Sequence, residues 1–178
     1  MKRTAIIYLF LCTFVCSAGS QVVINEIYGG GGNNGSIYKN DFIELFNNSN
    51  IAVDLSHWSV QYANSTGSNW AVTNLTGSIP PKGFYLVEET AGAGGTTNLP
   101  TPDVTGTIAM SATGGKVALV NNTLALTGIC PAGLVDEVGF GATANCFEGA
   151  GTTPAPSNTA SVQRINSGGD TQNNSVDL

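Results

Sequence analysis

The sequence predicts an all-β fold, an antiparallel β-sandwich of about nine short strands. Three observations carry this. Short runs of β-branched and aromatic residues alternate with Gly, Asn, Pro and Ser clusters at intervals of about 8–12 residues. No window holds helical periodicity over three turns. Charged residues make up only 10% of the 178-residue chain, while glycine alone takes 23 positions, a composition common in turn-rich extracellular β-proteins.

Residues 1–20 read as a signal peptide ahead of the domain. Lys2 and Arg3 open it, an apolar stretch runs from Ala5 to Phe14, and Ala18, Gly19 and Ser20 give a small-residue cleavage pattern before Gln21. Val15, preceding Cys16, is not the small residue a lipid-anchored leader carries there. The expectation is a secreted domain over 21–178 with no membrane span in its mature form. The whole chain carries a formal charge of −6, and losing Lys2 and Arg3 makes the mature domain more acidic. That balance argues against direct nucleic-acid binding, which needs a basic face for phosphates, and against docking on an anionic membrane. Cys12 and Cys16 leave with the leader. Cys130 and Cys146 remain, and in an oxidising compartment they are expected to pair; without histidine neighbours they make a poor zinc site.

Residues 22–28 and 39–48 form the first two strands, and each carries a glutamate among apolar neighbours. Side chains i and i±2 share a strand face, so Glu26 is expected beside Ile24 and Tyr28, and Glu44 beside Phe42 and Phe46. A carboxylate on an apolar face is costly unless paired, hydrogen-bonded or metal-bound. The glycine run 29–32, with Asn33, Asn34, Gly35 and Ser36, reads as a flexible hairpin loop. A strand follows it rather than a helix, so it is no phosphate cradle. Residues 53–62 read as a turn entering a third strand with Trp58, Val60 and Tyr62 on one face. Residues 69–73 give a fourth strand, and Pro80 and Pro81 turn the chain into a fifth at 84–88. The longest irregular segment runs over 91–102. Strands at 107–110, 116–120, 134–140 and 161–165 complete the set, with a Pro/Ser/Thr turn region at 152–158.

Catalytic chemistry finds few footholds. No serine sits in a Gly-x-Ser-x-Gly elbow, His57 is the only histidine, and no zinc or nucleotide motif appears. Glu26 and Glu44 remain as an acid–base pair, since adjacent strands reach the roughly 5–10 Å that glycosidases use. Strand interiors, however, are a poor place for a substrate site compared with loops. Each carboxylate is instead expected to accept hydrogen bonds from neighbouring backbone or hydroxyl groups and to fix strand register. Asp170 and Asn173, with Asp41, Asp136 and Glu137, are candidate calcium ligands, although the 170–174 run lacks the central glycine and distal glutamate of a calcium loop. No other cofactor is implied.

Segments 24–27, 41–47 and 53–58 together are similar to the opening of the lamin-tail domain family, especially its bacterial secreted branch. Residues 79–87, 116–122 and 135–141 resemble its later strands, and 161–164 with 170–178 its closing segment. Glu26, Glu44, Asn47 and Trp58 stand as its structural signature, while His57 occupies a position where the pattern has glycine. The resemblance implies an immunoglobulin-like sandwich without catalysis, serving adhesion, protein interaction or the positioning of a partner, either a protein or a surface polymer. Two further readings accompany it. One is the N-terminal accessory domain of a larger secreted nuclease or phosphatase, since the bacterial sequences run on beyond the point matching Leu178. The other is a calcium-dependent module for glycans or surface polymers.

Overall fold

Residues 21–178 are described by the computed structural model; the leader expected over 1–20 lies outside the described residues. Two facing sheets and a small third one account for its eleven strands: β1 (Val22–Tyr28), β2 (Asn40–Asn47), β3 (Val53–Asp54), β4 (Ser59–Asn64), β5 (Ala71–Asn74), β6 (Ser78–Ile79), β7 (Phe84–Ala91), β8 (Val104–Thr105), β9 (Gly115–Val120), β10 (Asp136–Phe140) and β11 (Val162–Gln163). One helical turn, α1 (Asn174–Asp177), follows. The larger sheet runs β11-β1-β2-β7-β8 and the facing one β10-β9-β4-β5, with β3 and β6 paired separately. Every strand pair is antiparallel except β7–β8.

The core lies between the sheets. Ile24, Ile27, Ile43, Leu45, Tyr85 and Val87 meet Val60, Tyr62, Val117, Leu119, Val138 and Phe140 there. Alternation along each strand produces this interface, since inward positions recur every second residue. The all-β expectation therefore holds, as an immunoglobulin-like sandwich. The strand count exceeds nine because 53–62 divides in two and the two-residue strands β6 and β8 join the set, while 107–110 drops out of it.

Residues 107–110 do not form the expected strand. The Ile108 N–H donates to Glu89 Oε2 at 2.8 Å and the Met110 N–H to Asp41 Oδ2 at 2.8 Å. Buried carboxylates thus take the hydrogen bonds that a neighbouring strand would have received. The expected strand at 53–62 divides into β3 and β4, separated by a turn in which the Trp58 N–H donates to Leu55 O at 2.9 Å.

A β-bulge between Ile24 and Glu26 changes which face β1 presents. Asn25 is the extra residue, so the period-two alternation restarts after it. Ile24 and Ile27 both enter the core, and Glu26 joins Tyr28 on the opposite face, away from Ile24. Nor is the glycine run a loose connection. A Cβ at Gly31 would fall 1.9 Å from the Asn40 carbonyl carbon, and the 91–97 segment docks on this loop through Gly94 N to Gly32 O, 2.7 Å, and Thr97 N to Ile37 O, 3.0 Å. Glycine is required because two backbones touch here.

A third layer covers the four-stranded sheet. Segment 121–134 lies over Ala63, Trp70, Ala118 and Val120, with Leu126 and Leu134 packed against them. Buried polar side chains hold it: Gln61 Nε2 donates to Leu124 O at 2.8 Å, Gln61 Oε1 accepts the Leu126 N–H at 2.8 Å, and Trp70 Nε1 donates to Gly128 O at 3.0 Å. The Cys130–Cys146 disulfide ties the layer's end to the loop after β10, with Cα atoms 5.2 Å apart. No helix among the described residues is long and apolar enough to cross a membrane.

Candidate functional site

The outer face of the larger sheet gathers both signature glutamates. Glu26 and Glu44 are direct cross-strand partners in the β1–β2 register, as are Tyr28 and Phe42. Both carboxylates are half-buried. Like charges directly opposite one another destabilise a sheet, and no basic side chain lies within ion-pair distance of either among the described residues. Glu44 Oε1 accepts a hydrogen bond from Asn25 Nδ2 at 2.8 Å. Burial raises the Glu44 carboxyl above its ordinary range, the Asn25 bond lowers it and Glu26 raises it again. Glu44 thus accepts from an Asn carboxamide rather than from the expected backbone or hydroxyl donor, and Glu26, turned outward by the bulge, has no such bond among the described residues.

Aromatic rings build a wall beside the pair. Tyr38 meets Tyr28 edge-on at 5.9 Å and Phe42 edge-on at 6.1 Å, and Tyr28 lies 5.5 Å from Phe42. Two hollows flank this cluster and share Glu26, Tyr38 and Phe42. One, of about 110 Å³, extends toward Ile37 and residues 159–161; the other, of about 200 Å³, extends over Glu44 to Leu86, Leu99 and Pro100. The walls are held rigidly. Tyr28 Oη donates to Asn158 O at 2.5 Å, and Asn158 Nδ2 donates to Asn34 O at 3.0 Å. The result is a shallow groove with an acidic floor, aromatic sides and one rim pinned through Asn158.

The calcium candidates do not assemble into one group. Asp41 accepts the N–H groups of Gly31 at 2.9 Å and Met110 at 2.8 Å. Asn173 Oδ1 accepts the Ala150 N–H at 3.2 Å and Ser175 Oγ at 2.8 Å. Glu137 lies against the disulfide, its Oε2 3.1 Å from Cys146 Sγ. Asp136 and Asp170 do come together, with Glu148, their carboxylate oxygens within 4.8 Å of one another. The centre of that cluster already holds the Arg164 guanidinium. Its Nη2 donates to both Asp136 oxygens at 3.0 and 3.1 Å, Nη1 to Asp177 at 3.2 Å and Gly169 O at 2.7 Å, and Nε to Ile24 O at 2.8 Å. Burial raises the Asp136 carboxyl, opposed by Arg164 and by the Ile24 N–H that it accepts. Glu148 is raised to about 8 by burial and by its acidic neighbours Asp136 and Asp170.

Asn47 is fully buried and closes the turn after β2, donating to Ile51 O at 2.7 Å, Pro80 O at 3.0 Å and Ile79 O at 3.2 Å. Trp58 packs half-buried against the core. His57 is exposed at the turn before β4 and lines neither hollow. Sequence reasoning missed Lys116, Gln61 and Arg164 as anchors. For Lys116 a signal was present, a lone cation inside an otherwise apolar strand, and such a charge needs buried partners.

A sandwich of this form, with its buried polar groups holding its own loops, is an immunoglobulin-like domain of a generally non-catalytic type. The chain belongs to the lamin tail domain family, whose model matches residues 16–142. The matched stretch runs through β10 and leaves β11, α1 and Arg164 outside it. Comparison with curated proteins finds no match.

Proposed function

We propose that the chain is a secreted, non-catalytic interaction module that positions a protein partner by gripping a basic segment of it in the outer-face groove. One observation carries this reading: Glu26 and Glu44 stand directly opposed on an open sheet face with no cation of their own among the described residues. A lysine or arginine side chain would relieve that repulsion, and the rings of Tyr38 and Phe42 suit its aliphatic stem and charged head. The acidic charge of the chain favours the same partner through long-range attraction. The disulfide agrees with an extracellular setting. The lamin tail fold supports interaction rather than catalysis, and neither a histidine nor a cysteine lines the groove.

A fluorescent Lys/Arg-rich peptide and its Glu-substituted counterpart provide the test by anisotropy titration. The basic peptide is expected to bind with salt-sensitive affinity, and Glu26→Gln/Glu44→Gln to weaken it about tenfold, the worth of two partly screened contacts. Equal binding of both peptides, or an unchanged affinity in a folded double variant, overturns the reading.

A further inference from the structure

The four-stranded sheet carries a second constellation, beneath the 121–134 layer. Lys116 on β9 is fully buried, and its Nζ lies 2.9 Å from Asn145 Oδ1, 2.8 Å from Gly67 O and 2.7 Å from Ile129 O. The Trp70 ring sits 5.3 Å away. In the β9–β10 register Lys116 faces Gly139 and Ala118 faces Glu137, so the Glu137 carboxyl shares the face of Lys116 one pair along. Glu137 is 6% exposed and its Oε1 has no hydrogen-bond partner. Its other oxygen touches Cys146, the residue after Asn145. A buried amine in contact with a carboxamide therefore shares one sheet face with an unsatisfied carboxyl one register pair along, close enough for Lys116 and Glu137 to perturb each other's charge.

We propose that this is a modification site, at which Lys116 and Asn145 become joined by an intramolecular isopeptide bond with Glu137 carrying the proton. The step is closed in atoms and electrons. Lys116 passes a proton to Glu137 and becomes a free amine, whose lone pair attacks Asn145 Cγ. The Nζ–Cγ bond forms and the Cγ–Nδ2 bond breaks. The Asn145 amide nitrogen leaves as ammonia, taking a proton that the attacking nitrogen returns through Glu137. Glu137 ends protonated, and no oxidant, nucleotide or water is consumed.

Three features favour the reaction here. Burial lowers Lys116 from the usual lysine range and raises Glu137 to about 7, and both changes favour a neutral amine and neutral acid over a buried ion pair. An amine so desolvated is an activated nucleophile. Nζ donates to the Gly67 and Ile129 carbonyls and to Asn145 Oδ1, so once the proton facing Asn145 is lost the two carbonyls keep the other hydrogens and the lone pair faces the carboxamide. Cγ is bonded to the oxygen that Nζ contacts at 2.9 Å, so a short shift of the amine from that oxygen onto Cγ brings the reacting atoms to the near-attack separation of about 3–3.5 Å. Asn145 is exposed on its outer side, which leaves ammonia a way out, and the adjacent disulfide holds its loop in place.

Mass spectrometry of the purified full-length protein tests this without any variant. The intact mass is expected to fall short of the disulfide-bonded sequence mass by one ammonia. Succinimide formation at Asn34-Gly35, or cyclisation of Gln21 at the expected mature N-terminus, would cause the same loss, so the digest must contain a branched peptide linking Lys116 to Asn145. Lys116→Arg and Asn145→Ala are each expected to abolish the branched species, and Glu137→Gln to reduce its yield at least tenfold. An intact mass retaining the ammonia after days at neutral pH, with an unbranched Lys116 peptide, overturns the proposal, as does an ammonia loss mapped to Asn34 or Gln21 with that peptide unbranched. Lys116 is then an ammonium anchor for three loops and nothing more.

Discussion

Arg164 supplies the positive charge around which Asp136, Asp170 and Asp177 gather, all with nearly inaccessible side chains. A guanidinium suits the place because its Nη2 reaches both Asp136 oxygens while Nη1 reaches Asp177 and Gly169 and Nε reaches Ile24. Removing it leaves buried carboxylates without their counter-charge. Arg164→Met is expected to cost about 3–5 kcal/mol of unfolding free energy in urea titrations, whereas a loss under about 1 kcal/mol would show that the cluster is internally relieved. The acidic half of this cluster was legible in the sequence, where Asp136 and Asp170 stood out as oxygen-rich candidates. Its centre was not, because nothing in local spacing tells which cation returns across 28 residues to Asp136. Glu26 and Glu44 were legible as a pair, yet their surroundings depended on a single inserted residue, Asn25.

At the level of elements, strands with strict alternation were readable and those whose backbone partners are side chains were not. β2, β7 and β9 lie close to where β-branched and aromatic runs place them. Residues 107–110 have the same composition, but Glu89 and Asp41 take their N–H groups, and such long-range capture leaves no periodic trace. The 121–134 layer was equally silent, since its anchors Gln61, Trp70 and Lys116 lie outside its own segment. The cystine pairing of Cys130 with Cys146 was readable from the two cysteines left once the expected leader is set aside. It closes a loop of 16 residues, for which chain entropy gives about 3 kcal/mol. Cys130→Ser/Cys146→Ser should lower stability by about that amount and speed amide exchange in 121–134 before the core strands. Uniform acceleration across β1, β2 and β9 would mean instead that the layer is inseparable from the sandwich.

For the whole molecule, the buried carboxyls set an unusual pH dependence. Asp41 is raised from 3.8 to about 6, chiefly by burial and despite two backbone hydrogen bonds. Glu137 is raised from 4.5 to about 7 by burial, against the pull of Lys116. Glu148 is raised from 4.5 to about 8. Between the unfolded and folded values of each group the native protein holds a proton that the unfolded chain has released. Stability therefore falls as pH rises wherever the folded state binds more protons. The contribution of each carboxyl is fully present below its unfolded value and is lost as pH climbs through about 6, 7 and 8 in turn. Thermal midpoints are expected to be higher at pH 5 than at pH 8, the reverse of a protein held by ordinary surface ion pairs. Glu148→Gln keeps the uncharged shape and removes the last ionisation, so its midpoint should change less between pH 7 and 8 than that of the parent. Midpoints that rise from pH 5 to pH 8 would mean that these three carboxyls are ionised in the folded domain, with the Arg164 cluster outweighing their burial.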